Sequence, residues 1–314
     1  LGRFPPPSLA AVRSTLDGDA LVSFRPTATG IETLYLSEDK ARVAMLPSSL
    51  ERDTAALLAD LRLGESPLAT GDRVRSTLID PAMDVLLGIG RYIVVGPPPL
   101  GLLPVAALPE QADGLRFLAS IRHVGYLPDL DALLPASPRE FEPVVTMLAL
   151  CADPLEAMVV RRVYPDAVVL EGAEATVAAF REKAPKARFL HIGGFPASAD
   201  GGYLLADGAL SLGELAGTPI GANGVVIQGG EDPTVISGRI AALRRAGAND
   251  VLVEGWAGAP PLRESLLLHF WEGINRRYSA SRSLSEARTL AIREVGEPVR
   301  LPGAWAGYFV VGRP

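Results

Sequence analysis

In the second half of the chain, short apolar runs alternate with amphipathic stretches. Residues 144–150, 167–170, 188–192, 224–227 and 250–253 read as strands, and 306–311 as a last one. Between them, 155–164, 173–183, 212–216, 235–246, 262–276 and 285–295 read as helices. Ile236, Ile240 and Leu243 share one helical face, as do Leu262, Leu266, Phe270 and Ile274. Strands that are apolar throughout and separated by amphipathic helices predict an α/β fold with a mostly parallel sheet covered on both faces. A site in such a sheet forms at the carboxyl ends of the strands.

The first half has a different texture. Ser8 is suited to cap a short helix to about Leu16. Residues 20–24, 31–36 and 42–46 follow as three short strands. Leu50, Leu57, Leu58 and Leu61 then form a helical stripe after Ser48 or Ser49. A further helix is expected over 73–87 and a buried strand over 92–95. The breaker-rich stretch 134–143 is the natural boundary. It separates a smaller α+β region, 1–140, from an α/β region, 141–314. No internal repeat is visible.

Composition narrows the function classes. The chain has 314 residues, of which 48% are hydrophobic and 21% charged, enough for a sizeable core. A net charge of -6 argues against nucleic acid as a partner and gives no pull toward anionic membranes. The most apolar stretch, 85–108, is broken by Arg91, Pro97, Pro98, Pro99 and Pro104, so no membrane span is expected. Cys151 is the only cysteine, which excludes an intrachain disulfide and favours a cytoplasmic protein. His123, His191 and His269 are scattered without zinc-ligand spacing, and no metal or cofactor is expected. The first residue is Leu rather than Met, which suggests that more chain lies upstream.

Several segments carry a family likeness. They are Ala187-Arg188-Phe189-Leu190-His191-Ile192, the run Leu204 to Ser211 with Glu214-Leu215, and Ala222-Asn223-Gly224-Val225-Val226-Ile227. Ala242 to Ala248 with Trp256, and Ala304 to Gly312, follow in order, and 92–108 carries the matching part of the first region. Together these resemble CHAT domains, caspase-like peptidases related to separase. The resemblance spans nearly the whole chain. It implies an α/β/α sandwich with a Cys/His dyad at strand ends.

At those strand ends the chain departs from the family. The resemblance places the catalytic histidine at Phe195, in His191-Ile192-Gly193-Gly194-Phe195-Pro196, and the nucleophile at Gly230, in Gln228-Gly229-Gly230-Glu231-Asp232. Neither residue can move a proton or attack a carbonyl, and no cysteine follows Cys151. The reading is a pseudo-peptidase, not an enzyme, that binds a protein partner. Because CHAT domains often follow helical repeats, an upstream repeat region of the same protein is a candidate partner. A vestigial groove is expected at His191, Gly193, Gly194, Phe195, Gly229, Gly230, Glu231 and Asp232, with Phe195 filling the space left by the dyad.

Other readings stay open. Cys151 and His191 each close a predicted strand, so a relocated dyad, and with it a cysteine endopeptidase, is conceivable; a buried core cysteine is the simpler account. The two glycine pairs read as tight turns, with a backbone-lined pocket as the alternative. Glu231 and Asp232 read as a solvated turn or an acidic rim.

Overall fold

The computed structural model describes residues 8–97, 100, 103–110, 117–118, 122–127, 144–228, 232–256, 260–296 and 302–312. The chain divides into two compact units. One comprises 1–137 with 298–306 and 312–314, the other 138–297 with 307–311.

In the first unit, helix α1 (Leu9–Arg13) leads into β1 (Ala20–Thr27), β2 (Gly30–Leu36) and β3 (Ala41–Leu46). Helices α2 (Ser49–Leu63), α3 (Leu68–Leu78) and α4 (Met83–Leu86) precede β4 (Arg91–Val95) and β5 (His123–Leu127). The strand order is β3-β2-β1-β4-β5. The β1–β2 and β2–β3 pairs are antiparallel; β1–β4 and β4–β5 are parallel. Leu16, Leu21, Leu36, Ile93, Val95 and Leu127 form a core cluster. The helix expected over 73–87 is split into α3, a 3-10 turn at Asp80–Ala82, and α4. Pro81 lacks the amide that would continue the hydrogen-bond ladder. Strand β5 was not expected; Gly125 at its centre weakens the apolar signal.

The second unit runs β6 (Val145–Cys151), α5 (Pro154–Val163), β7 (Val168–Glu171), α6 (Val177–Lys183), β8 (Ala187–Gly193), β9 (Tyr203–Leu205) and β10 (Gly208–Leu210). It continues with α7 (Leu212–Gly217), β11 (Gly224–Gln228), α8 (Pro233–Ala246), β12 (Asp250–Glu254), α9 (Pro260–Asn275), α10 (Ala280–Val295) and β13 (Tyr308–Val311). The strand order is β13-β12-β11-β8-β6-β7. All pairings are parallel except β12 with β13. This is the mostly parallel α/β architecture that the apolar runs predict. Met147 to Cys151 and Phe189 to Gly193 are buried without interruption, as strands covered on both faces must be. Strands β9 and β10 form a separate small hairpin.

Local chemistry sets the helix starts that matter for the site. Asp153 caps α5, accepting from Leu155 N at 2.9 Å, and Pro154 occupies the first turn. Asp232 and Pro233 repeat the device at α8, where Asp232 accepts from Thr234 N at 2.8 Å. Ser211 and Glu214 form a reciprocal capping box on α7. Trp271 of α9 is fully buried, with its ring 5.9 Å from those of Phe189 and Tyr164 and 6.4 Å from that of His191. Helix α9 therefore covers the face of β8 that carries Phe189 and His191.

Candidate functional site

Strand β6 ends at Cys151 and β8 at Gly193. In the register of this parallel pair Cys151 stands opposite Gly193, and Ala149 opposite His191. Side chains alternate along a strand, so Cys151 and His191 share one face of the sheet at its carboxyl edge. The first turn of α5 brings Glu156 onto the same face. Its carboxylate packs against Gly193, where an added Cβ would lie 1.4 Å from Glu156 Oε2. The glycine is thus required by the carboxylate above it.

His191 Nε2 donates to Glu156 Oε2 at 2.8 Å. Cys151 Sγ, a Glu156 oxygen and a His191 ring nitrogen all lie within 4.8 Å of one another. All three residues are buried: Cys151 is 1% exposed, Glu156 2% and His191 2%. The histidine's other nitrogen, Nδ1, is buried without a hydrogen-bond partner among the described residues.

Arg263 of α9 holds this cluster from behind. Its Nε meets Glu254 Oε2 at 3.1 Å, its Nη1 meets Asp153 Oδ2 at 3.0 Å, and its Nη2 contacts Glu156 Oε1. Glu254 closes β12 and accepts from the Tyr308 hydroxyl of β13 at 2.8 Å. A guanidinium fork suits this task because its donors are fixed in one plane. Its presence also explains how Glu156 and Glu254 remain inside, since a buried carboxylate needs a paired charge.

The electrostatics hold both candidate reactive groups neutral. Burial pushes the Cys151 thiol up to about 12, with the Glu171 carboxylate adding to the effect. Burial also lowers His191 to about 4. Glu156 would favour the imidazolium, but its charge is engaged by Arg263, and desolvation prevails. An activated cysteine–histidine pair has the opposite character, with a depressed thiol and a basic imidazole.

Of the remaining expected groove residues, Gly194, Phe195 and Asp232 are described. Gly194 is exposed and adopts φ +81°, and an added Cβ there would meet Ala152 Cβ at 3.0 Å. Phe195 is half-buried. The loop beyond it is anchored by Arg239, which donates to Gly201 O at 3.0 Å and Gly202 O at 2.7 Å and stacks on Tyr203. Asp232 is exposed as the α8 cap. Gly229, Gly230 and Glu231 lie outside the described residues.

Sequence reasoning reached Cys151 and His191 but missed Glu156, Arg263, Glu254 and Tyr308. The available signal was a charged residue interrupting apolar patterns: Glu254 at the end of a strand, Glu156 and Arg263 near helix starts. Such residues are usually solvated, and only strand register distinguishes them. Among the described residues no helix is long and apolar enough to cross a membrane.

No protein-family model matches the sequence, and no curated protein matches it. Solved structures do. Two crystal structures of the Saccharomyces cerevisiae separase–securin complex are similar to this chain, with TM-scores of 0.62 and 0.61 and 9% sequence identity in each case. The likeness covers 97% of this chain and 31% of that one, so the chain spans about a third of the length of the protein it matches. At that identity the likeness establishes the fold alone: this chain has the mixed α/β, caspase-like fold found in separase.

Proposed function

We propose that this chain is a catalytically inactive, CHAT-type relative of the caspase-like peptidases, acting as a protein-binding or regulatory module. The observation that carries the reading is the state of its only thiol. Cys151 is buried at 1% exposure and held protonated, beside a histidine held neutral. The likeness to separase supports the peptidase ancestry, and Phe195 and Gly230 stand at the positions the family resemblance assigns to the dyad. Separase is seen in complex with a protein, securin, which favours a protein partner for this chain too, an upstream repeat region of the same protein among the candidates. Neither nucleic acid nor a membrane is proposed, and the cytoplasm is the proposed compartment.

The second reading, a cysteine endopeptidase using Cys151 and His191, is favoured by one observation: the two side chains lie together at the carboxyl edge of the sheet. The experiment that separates the two is incubation of the purified chain with a whole-cell extract, read as new protein N-termini, beside Cys151→Ser. No new termini in either sample are expected. Termini that appear with the wild type and vanish with Cys151→Ser would overturn the pseudo-peptidase reading.

A further inference from the structure

We propose that Cys151, Glu156 and His191 form a binding site for a single zinc ion. The inference does not depend on whether the chain is a peptidase. It starts from the donor set. A thiol, an imidazole and a carboxylate, all buried and with their ligand atoms within 4.8 Å of one another, match the mixed S, N and O chemistry that zinc accepts. Calcium and magnesium prefer oxygen alone.

Strand register creates the site. Cys151 and His191 project from the same face of adjacent parallel strands, and Glu156 reaches over Gly193 between them. The ion takes the place of the proton that His191 Nε2 now donates to Glu156 Oε2. Cys151 Sγ, a free and buried thiol, supplies the third ligand. Zinc binds sulfur at about 2.3 Å and nitrogen or oxygen at about 2.0–2.2 Å. Tetrahedral geometry then sets the ligand atoms about 3.3–3.7 Å apart, so the widest separations must close by roughly 1 Å.

The step balances: the Cys151 proton leaves to solvent as the Zn–S bond forms, the His191 Nε2 proton moves to Nδ1 so that Nε2 can ligate as a neutral imidazole, and no electron moves. Arg263 and, through it, Asp153, Glu254 and Tyr308 supply the outer hydrogen bonds that hold a ligating carboxylate in place.

The test uses the intact chain, unfolded in chelator and refolded with zinc or with cobalt(II). One bound metal ion per chain and a thiolate-to-cobalt charge-transfer band are expected. Because the chain has a single cysteine, that band assigns Cys151 on the wild type alone, even should a variant fail to fold. Cys151→Ser should abolish the band, and Glu156→Gln should weaken cobalt affinity by roughly tenfold or more. Refolded wild type that retains neither metal, or that binds cobalt without the thiolate band, overturns the proposal.

Discussion

Arg263→Met removes the cation that pairs with both Glu156 and Glu254 and leaves a side chain of similar length in its place. Two carboxylates at 2% and 4% exposure then lose the guanidinium they share. Each can stay ionised or take up a proton. Protonating an ordinary glutamate, with pKa about 4.3, at pH 7 costs about 3.7 kcal/mol, and about 1.4 kcal/mol less for each pH unit of acidification. Removing one partner of a buried ion pair costs about 3–5 kcal/mol by direct comparison. Both routes predict a loss of about 3–5 kcal/mol at pH 7. With a denaturant slope of about 2–3 kcal/mol per molar, the urea midpoint should fall by roughly 1–2.5 M. The sign of the pH dependence follows. In the variant the carboxyls are held protonated above their unfolded value, so stability is retained at low pH and lost as pH rises. The gap from wild type should therefore shrink from pH 7 to pH 5. Urea unfolding followed by circular dichroism at both pH values measures it. Adding Glu156→Gln and Glu254→Gln to Arg263→Met should recover most of the loss, since no buried charge is then left unpaired. A midpoint shift corresponding to less than about 1 kcal/mol, or one flat with pH, would show that Arg263 does not hold the cluster.

Three further outcomes are expected. Gly193→Ala must displace the Glu156 carboxylate, and thermal melting should show a loss of about 1–3 kcal/mol, the range for overpacking a filled interior. Cys151 should resist alkylation in the native state and react only on unfolding; because burial raises its folded value to about 12, wild-type stability should also decline as pH rises above about 9, a decline that Cys151→Ala should lack. His191 is lowered from 6.5 to about 4, so its contribution is complete above about pH 6.5 and is lost as pH falls toward 4, and His191→Gln should flatten that limb of an acid denaturation curve.

The sequence by itself determined the local elements of the second unit. Its strands are apolar because both faces are covered, and its helix starts carry their own caps at Asp153, Ser211 and Asp232. Those signals lie within a few residues of the structure they specify. The break at Pro81 was equally local, yet the apolar stripe running past it hid it. Strand β5 and the β9–β10 hairpin are short, and Gly125 and Gly208 dilute their patterns. Strand order and register were out of reach, because pairing β6 with β8 rather than with its chain neighbours alone is decided by packing across the whole sheet. That pairing sets Cys151 diagonally from His191, opens the space over Gly193 for Glu156, and brings Arg263 from a helix more than a hundred residues later in the chain. Composition could say that one cysteine and three histidines exist. Only the tertiary structure could show which of them meet, and that burial holds them neutral, because desolvation depends on what every other part of the unit covers.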